Sequence, residues 1–257
     1  MPSVVESVYF TNKHGHKLAG RLERPEGSDP IAYAMMSHCF TCSKSIKSMG
    51  WISKHLAEQG VAVLRFDFAG LGESEGVFSE TTFSTNLDDI AAAAAFLRER
   101  DRAPQILIGH SLGGTAMLAA AGGVPECRLV ATIASPADTR HIRGLMVGDY
   151  PELLTQGEAH VSFGGRKVRI LKSFLDDLET HRIEQVVADL NCAVMTFHSP
   201  ADSTLGIDHS LRIFHAAKPP RYFITLDGAD HLLVKREADS RYVAETIAAW
   251  VRRYLMP

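Results

Sequence analysis

The chain has 257 residues, 46% hydrophobic and 22% charged, a globular composition with enough length to bury a large sheet. Its formal net charge of −3 provides no basic field for nucleic acid, and no apolar run approaches the ~18 residues that a membrane-spanning helix needs. Met1 to Thr11 lack the basic start and apolar core of an export signal, so a cytoplasmic location is expected, with Cys39, Cys42, Cys127 and Cys192 reduced.

Val4 to Phe10 and Leu18 to Leu22 alternate as an antiparallel strand pair joined through His14-Gly15. Beyond them the pattern changes to short apolar runs, which suit strands buried on both faces: Ile31 to Ser37, Val61 to Phe66, Gln105 to Gly109, Leu129 to Ala134, Ala193 to Phe197 and Tyr222 to Leu226. Helical patterns lie between these runs. Ile46, Met49, Ile52 and Leu56 share a face, with Gly60 placed as a C-terminal cap. Ile90 to Leu97 is alanine-rich, and Tyr242 to Tyr254 carries one apolar stripe. The alternation predicts an α/β fold spanning 1–257 as a single domain, with a mostly parallel central sheet entered by the antiparallel pair. Between Pro136 and Asp189 the rhythm breaks. His160 to Phe163 and Lys167 to Ile170 flank a hairpin turn at Gly164-Gly165, and a helical pattern follows, so a small cap insertion is expected at about 137–188.

The run Gln105 to Gly109 leads directly into Gly109-His110-Ser111-Leu112-Gly113, a G-x-S-x-G pattern between strand and helix. Such a turn is tight enough to exclude side chains at Gly109 and Gly113, and it lifts the serine hydroxyl above the sheet. Ser111 is the expected nucleophile, and the backbone N–H of Leu112, at the helix start, can face a developing oxyanion. A serine hydroxyl needs a histidine to take its proton and a carboxylate to orient that histidine, following in the order Ser, Asp/Glu, His. His231 is the only histidine beyond the last predicted strand, and Asp202 lies one loop past the strand Ala193 to Phe197. Asp138 is the competing acid, while Asp230 is too close in sequence to reach His231 comfortably.

The second oxyanion donor should come from His38-Cys39-Phe40-Thr41-Cys42-Ser43-Lys44, with Phe40 N–H in that role and Thr41 as fallback. Asp67-Phe68-Ala69-Gly70-Leu71-Gly72-Glu73-Ser74 reads as a structural loop, because Glu75 stands where a dinucleotide loop needs its third glycine. The C-x-x-C pair Cys39 and Cys42 is expected to pack without a redox or metal role, since a disulfide there would distort the backbone holding Phe40, and no second pair completes a zinc site. Met146, Phe163, Phe174 and Leu175 of the insertion are the expected apolar substrate contacts.

On these motifs the chain resembles α/β-hydrolases along nearly its whole length. The stretches from His38 to Lys44, Phe66-Asp67 with Gly70-Leu71-Gly72, and Gly164 to Leu178 resemble more particularly the hydrolase module that some bacteria fuse to an OsmC-like peroxidase domain. In that group the residue after the lysine is usually acidic, and here it is Ser45. The resemblance implies a serine esterase acting through Ser111, Asp202 and His231 on a small-molecule acyl substrate, without cofactor or metal, and by analogy an OsmC-like peroxidase partner. Thioesterase, acyltransferase and aminopeptidase chemistry on the same residues, or a non-catalytic binding module on the same fold, are the competing readings.

Overall fold

The computed structural model describes residues 2–163 and 166–256. The chain opens with β1 (Ser3–Thr11) and β2 (Lys17–Pro25), paired antiparallel from Ser3↔Pro25 to Thr11↔Lys17. At their turn the Asn12 side chain accepts the N–H groups of His14 and His16, both at 3.0 Å. There follow β3 (Ala32–Ser37), α1 (Lys47–Glu58), β4 (Val61–Phe66), α2 (Phe83–Arg100), β5 (Ile106–His110), α3 (Leu112–Ala120) and β6 (Leu129–Ile133). An insertion comprises α4 (Thr139–Asp149), α5 (Glu152–Thr155), the hairpin β7 (Glu158–Phe163) and β8 (Arg166–Leu171), α6 (Lys172–Leu178) and α7 (Ile183–Asp189). The expected turn of that hairpin, Gly164-Gly165, lies outside the described residues. The chain then returns to β9 (Ala193–His198), α8 (Asp208–Ala216), β10 (Arg221–Thr225) and α9 (Glu237–Tyr254).

Among the described residues, eight strands form one sheet in the order β1-β2-β4-β3-β5-β6-β9-β10, antiparallel at β1 and β2 and parallel from β4 to β10. Successive strand residues face opposite sides, so the inner parallel strands β3, β4, β5, β6 and β9 each feed two cores. Met35, Leu107 and Val130 pack with Phe83, Ile90 and Met117 of α2 and α3. Their neighbours Met36, Ile108 and Ala131 pack with Met49, Ile52, Ile247 and Val251 of α1 and α9. This double burial explains why the strands read as unbroken apolar runs. Helix α2 starts seven residues before the alanine-rich stretch that signals it. Thr82 and Thr85 form a reciprocal capping box, which starts the helix without an apolar cue.

The strand order turns at β3, which has β4 on one side and β5 on the other. Chain leaving the carboxyl ends of β3 and β5 therefore diverges across opposite faces and leaves a crevice above the sheet.

Candidate active site

Ser111 occupies the one-residue bend between β5 and α3, with φ 52° and ψ −128°. A non-glycine residue in this region costs of order 1–3 kcal/mol, and the surroundings hold it there. The Ser111 N–H donates to Ile133 O at 2.8 Å. A Cβ on Gly109 would stand 2.4 Å from Gly114 Cα, and one on Gly113 would stand 2.2 Å from His38 O. The glycines of the motif are thus demanded by backbone passing backbone. Leu112 is the first residue of α3, so its N–H has no carbonyl within the helix to bond and lies at the positive end of the helix dipole.

The loop after β10 carries His231, whose Nδ1 lies 2.7 Å from Asp202 Oδ2. A carboxylate only accepts, so Nδ1 holds the proton and Nε2 is left as the acceptor, the tautomer that a general base requires. Asp202 Oδ1 accepts N–H groups from Thr204 at 2.8 Å and Leu205 at 3.1 Å, which turns the loop around the carboxylate. Burial would raise the Asp202 pKa, but hydrogen bonds from His198 and His231, together with the His231 charge, outweigh it and hold the acid well below the usual carboxylate range. Asp138, the competing acid, caps α4 by accepting the His141 N–H at 2.8 Å and pairs with Arg212. Asp230 accepts backbone N–H groups from Val234 and Lys235. Both carboxylates are thereby committed to local structure.

Two further histidines, His110 and His198, lie against this centre. The His110 Nε2–H donates to His231 O at 2.7 Å. Burial, reinforced by the charge of His231, pushes the His110 pKa down to about 3. His198 is fully buried beside Asp202. Neither had a periodicity or motif of its own to signal it.

Ser111 and His231 open onto one cavity of about 620 Å³. Its apolar walls are Phe40, Ile46, Pro136, Ile142, Leu145, Leu205 and Leu232, and Thr41, Ser43, Ser45, His141 and Thr204 add polar groups. The expected contacts Met146, Phe174 and Leu175 do not line it. They are buried in the core that seats the insertion, where the Phe174 ring packs against Phe40 at 5.3 Å between centroids. On α4 the residues His141, Ile142 and Leu145 face the cavity, and the helix turns Met146 inward. The side chain of Phe163 lies outside the described residues.

The loop after β3 forms the opposite wall. Contrary to the expectation of free thiols, Cys39 and Cys42 are joined by a disulfide, with Cα atoms 5.3 Å apart. The bridge closes over a turn: the Cys42 N–H donates to Cys39 O at 3.1 Å, and Thr41 takes the left-handed conformation at φ 60°. These adjustments bring the two residues within bridging distance while Phe40 stays on the cavity wall. His38, buried and held neutral by desolvation, accepts the Phe68 N–H at Nε2 and donates from Nδ1 to Cys39 O at 2.8 Å. Below the loop, Lys44 donates its backbone N–H to Asp67 Oδ1 at 2.6 Å and its ammonium to Asp67 Oδ2 at 2.5 Å. The aspartate that opens the loop after β4 therefore braces the neighbouring cavity wall.

A model of the alpha/beta hydrolase family matches residues 35–256. The chain belongs to that family. Among solved structures, this hydrolase is similar to the esterase domain of a Rhodothermus marinus protein, at 43% identity and a TM-score of 0.80, covering 98% of this chain and 99% of that one. It is 30% identical over 195 residues to the mitochondrial palmitoyl-protein thioesterase ABHD10 of Mus musculus, a match covering 73% of this chain and 64% of the relative. It is 28% identical over 240 residues to the uncharacterized protein YfhR of Salmonella typhimurium, covering 90% of this chain and 76% of the relative. No helix among the described residues is long and apolar enough to cross a membrane.

Proposed function

We propose that this hydrolase is a serine esterase that cleaves carboxylic esters of short, apolar acyl groups through an acyl-enzyme. The observation that carries the reading is the 2.7 Å bond between His231 and Asp202, on a histidine that shares its cavity with a serine held on a strained strand–helix bend. His231 Nε2 takes the Ser111 proton as Oγ attacks the acyl carbon. Asp202 steadies the imidazolium that forms, and the proton then passes to the departing alcohol. The N–H groups of Leu112 and Phe40 receive the oxyanion. Water deacylates Ser111 by the same steps in reverse roles. A cavity of about 620 Å³ with largely apolar walls and no Lys, Arg, Asp or Glu among its lining residues supports an uncharged acyl group. Thioester cleavage uses the same steps, and the similarity to a named thioesterase supports it as the second reading.

A fluorophosphonate probe tests the nucleophile. It should label the protein, and Ser111→Ala should abolish labelling and lower ester turnover by ~10³ or more. Labelling that survives the substitution would refute the assignment.

A further inference from the structure

Asp202 is approached by a second imidazole that the reaction as written does not use. His198 is the last residue of β9, between β6 and β10, and its side chain is fully buried. Its Nε2 lies 2.8 Å from Leu205 O and 3.4 Å from Asp202 Oδ2. A backbone carbonyl cannot donate, so Nε2 carries a proton, given to Leu205 O with the carboxylate as a second, longer acceptor. Nδ1 lies 2.7 Å from the hydroxyl of Ser210, a buried residue of α8. With Ser210 on Nδ1 and Leu205 O on Nε2, both ring nitrogens have a hydrogen-bond partner.

The placement of these bonds points to more than filling. The loop that presents the acid runs from Ser199 to Ile207, between β9 and α8. From inside, Asp202 Oδ1 gathers the N–H groups of Thr204 and Leu205, and from the strand end His198 grips the Leu205 carbonyl. Oδ2 is left between His198 and His231, so the direction in which it faces the base depends on where His198 holds the loop. Thr204 and Leu205 also line the substrate cavity. We propose that His198 is a positioning residue for the acid: through the Leu205 carbonyl and Asp202 Oδ2 it sets the orientation of the Asp202–His231 pair. The proposal rests on the serine-hydrolase reading, with Asp202 as its acid.

The test is a double-mutant cycle on p-nitrophenyl butyrate turnover, with thermal unfolding recorded for every variant. His198→Phe keeps a ring without donors and should lower kcat by ~30- to 100-fold with KM within about threefold, the scale of a ~1 Å misplacement of a reacting group. His198→Gln carries an amide N–H near the Nε2 position and should recover to within about tenfold of wild type, which also answers if His198→Phe folds poorly. In an Asp202→Asn background the same His198 changes should cost less than threefold, because the path through the acid is already lost. Wild-type kcat in both His198 variants would overturn the proposal, and so would an equal loss in both backgrounds, the mark of a merely structural role. Undiminished turnover by Asp202→Asn itself would overturn the acid assignment, and this proposal with it. Ser111-dependent turnover that is sensitive to Asp202 but indifferent to His198 overturns the positioning role alone.

Discussion

Replacing Asp202 by asparagine changes one atom, yet the hydrogen bonds around it fix what that change does. Oδ1 already accepts N–H groups from Thr204 and Leu205, so the asparagine oxygen must stay on that side. Its NH2 group is then forced into the place of Oδ2, 2.7 Å from His231 Nδ1. A donor there compels Nδ1 to accept, which moves the imidazole proton to Nε2, the nitrogen that takes the serine proton in the proposed mechanism. The amide also meets the Nε2–H of His198, donor against donor, where the carboxylate oxygen lay at 3.4 Å. The wrong tautomer alone lowers kcat by ~10³ to 10⁴. Asp138→Asn is the control. Asparagine still caps α4, and the partly exposed pair with Arg212 is worth under ~1 kcal/mol, so activity should stay near wild type. Initial rates on p-nitrophenyl acetate at saturating substrate, with circular dichroism as the folding control, decide the matter. Asp202→Asn within tenfold of wild type, or a collapse in Asp138→Asn instead, would refute this account of the acid.

Three further outcomes are expected. His110 has its pKa pushed from about 6.5 to about 3, so the unfolded chain binds a proton that the folded chain refuses, and stability contributed at neutral pH is lost progressively as pH falls through that window. Urea midpoints between pH 7.5 and 5 should therefore fall less steeply in His110→Gln, and parallel profiles would contradict this. Across p-nitrophenyl esters, kcat/KM should peak at short acyl chains, whereas a preference for long-chain triglycerides with activation at an oil–water interface would count against the cavity reading. A thiol-reactive chromogen should find two thiols in the denatured, unreduced protein, Cys127 and Cys192, and four after reduction; four before reduction would deny the Cys39–Cys42 bridge.

The parts of the site legible in the sequence are those where backbone geometry restricts the residue type. Gly109 and Gly113 are required by contacts closer than any side chain allows, and a buried parallel strand leaves an uninterrupted apolar signature before each loop. Of the expected catalytic residues, Ser111 and Asp202 follow such strands, whereas His231 follows the half-buried edge strand β10. The cavity wall was less legible. Ile142, Leu145 and Met146 are all apolar on one short helix, and only the packing of the insertion decides that Met146 turns inward. The cysteine bridge depends on a left-handed Thr41, a conformation that threonine does not advertise. His198 looks, in sequence, like any polar residue ending a strand.

The bends that carry Ser111, Asp202 and His231 leave β5, β9 and β10, members of one continuous hydrogen-bonded array joined through β6. The insertion between β6 and β9 supplies only part of the cavity wall, through α4. In the proposed mechanism the proton-transfer residues sit on loops of the sheet, and those loops share the cavity wall, through Phe40, Leu205 and Leu232, with the separate surface that α4 contributes. On the proposed mechanism, a transplanted α4 surface should alter which acyl group is accepted while the proton-transfer residues keep their alignment, making His141, Ile142 and Leu145 the natural positions for redirecting this hydrolase to new substrates.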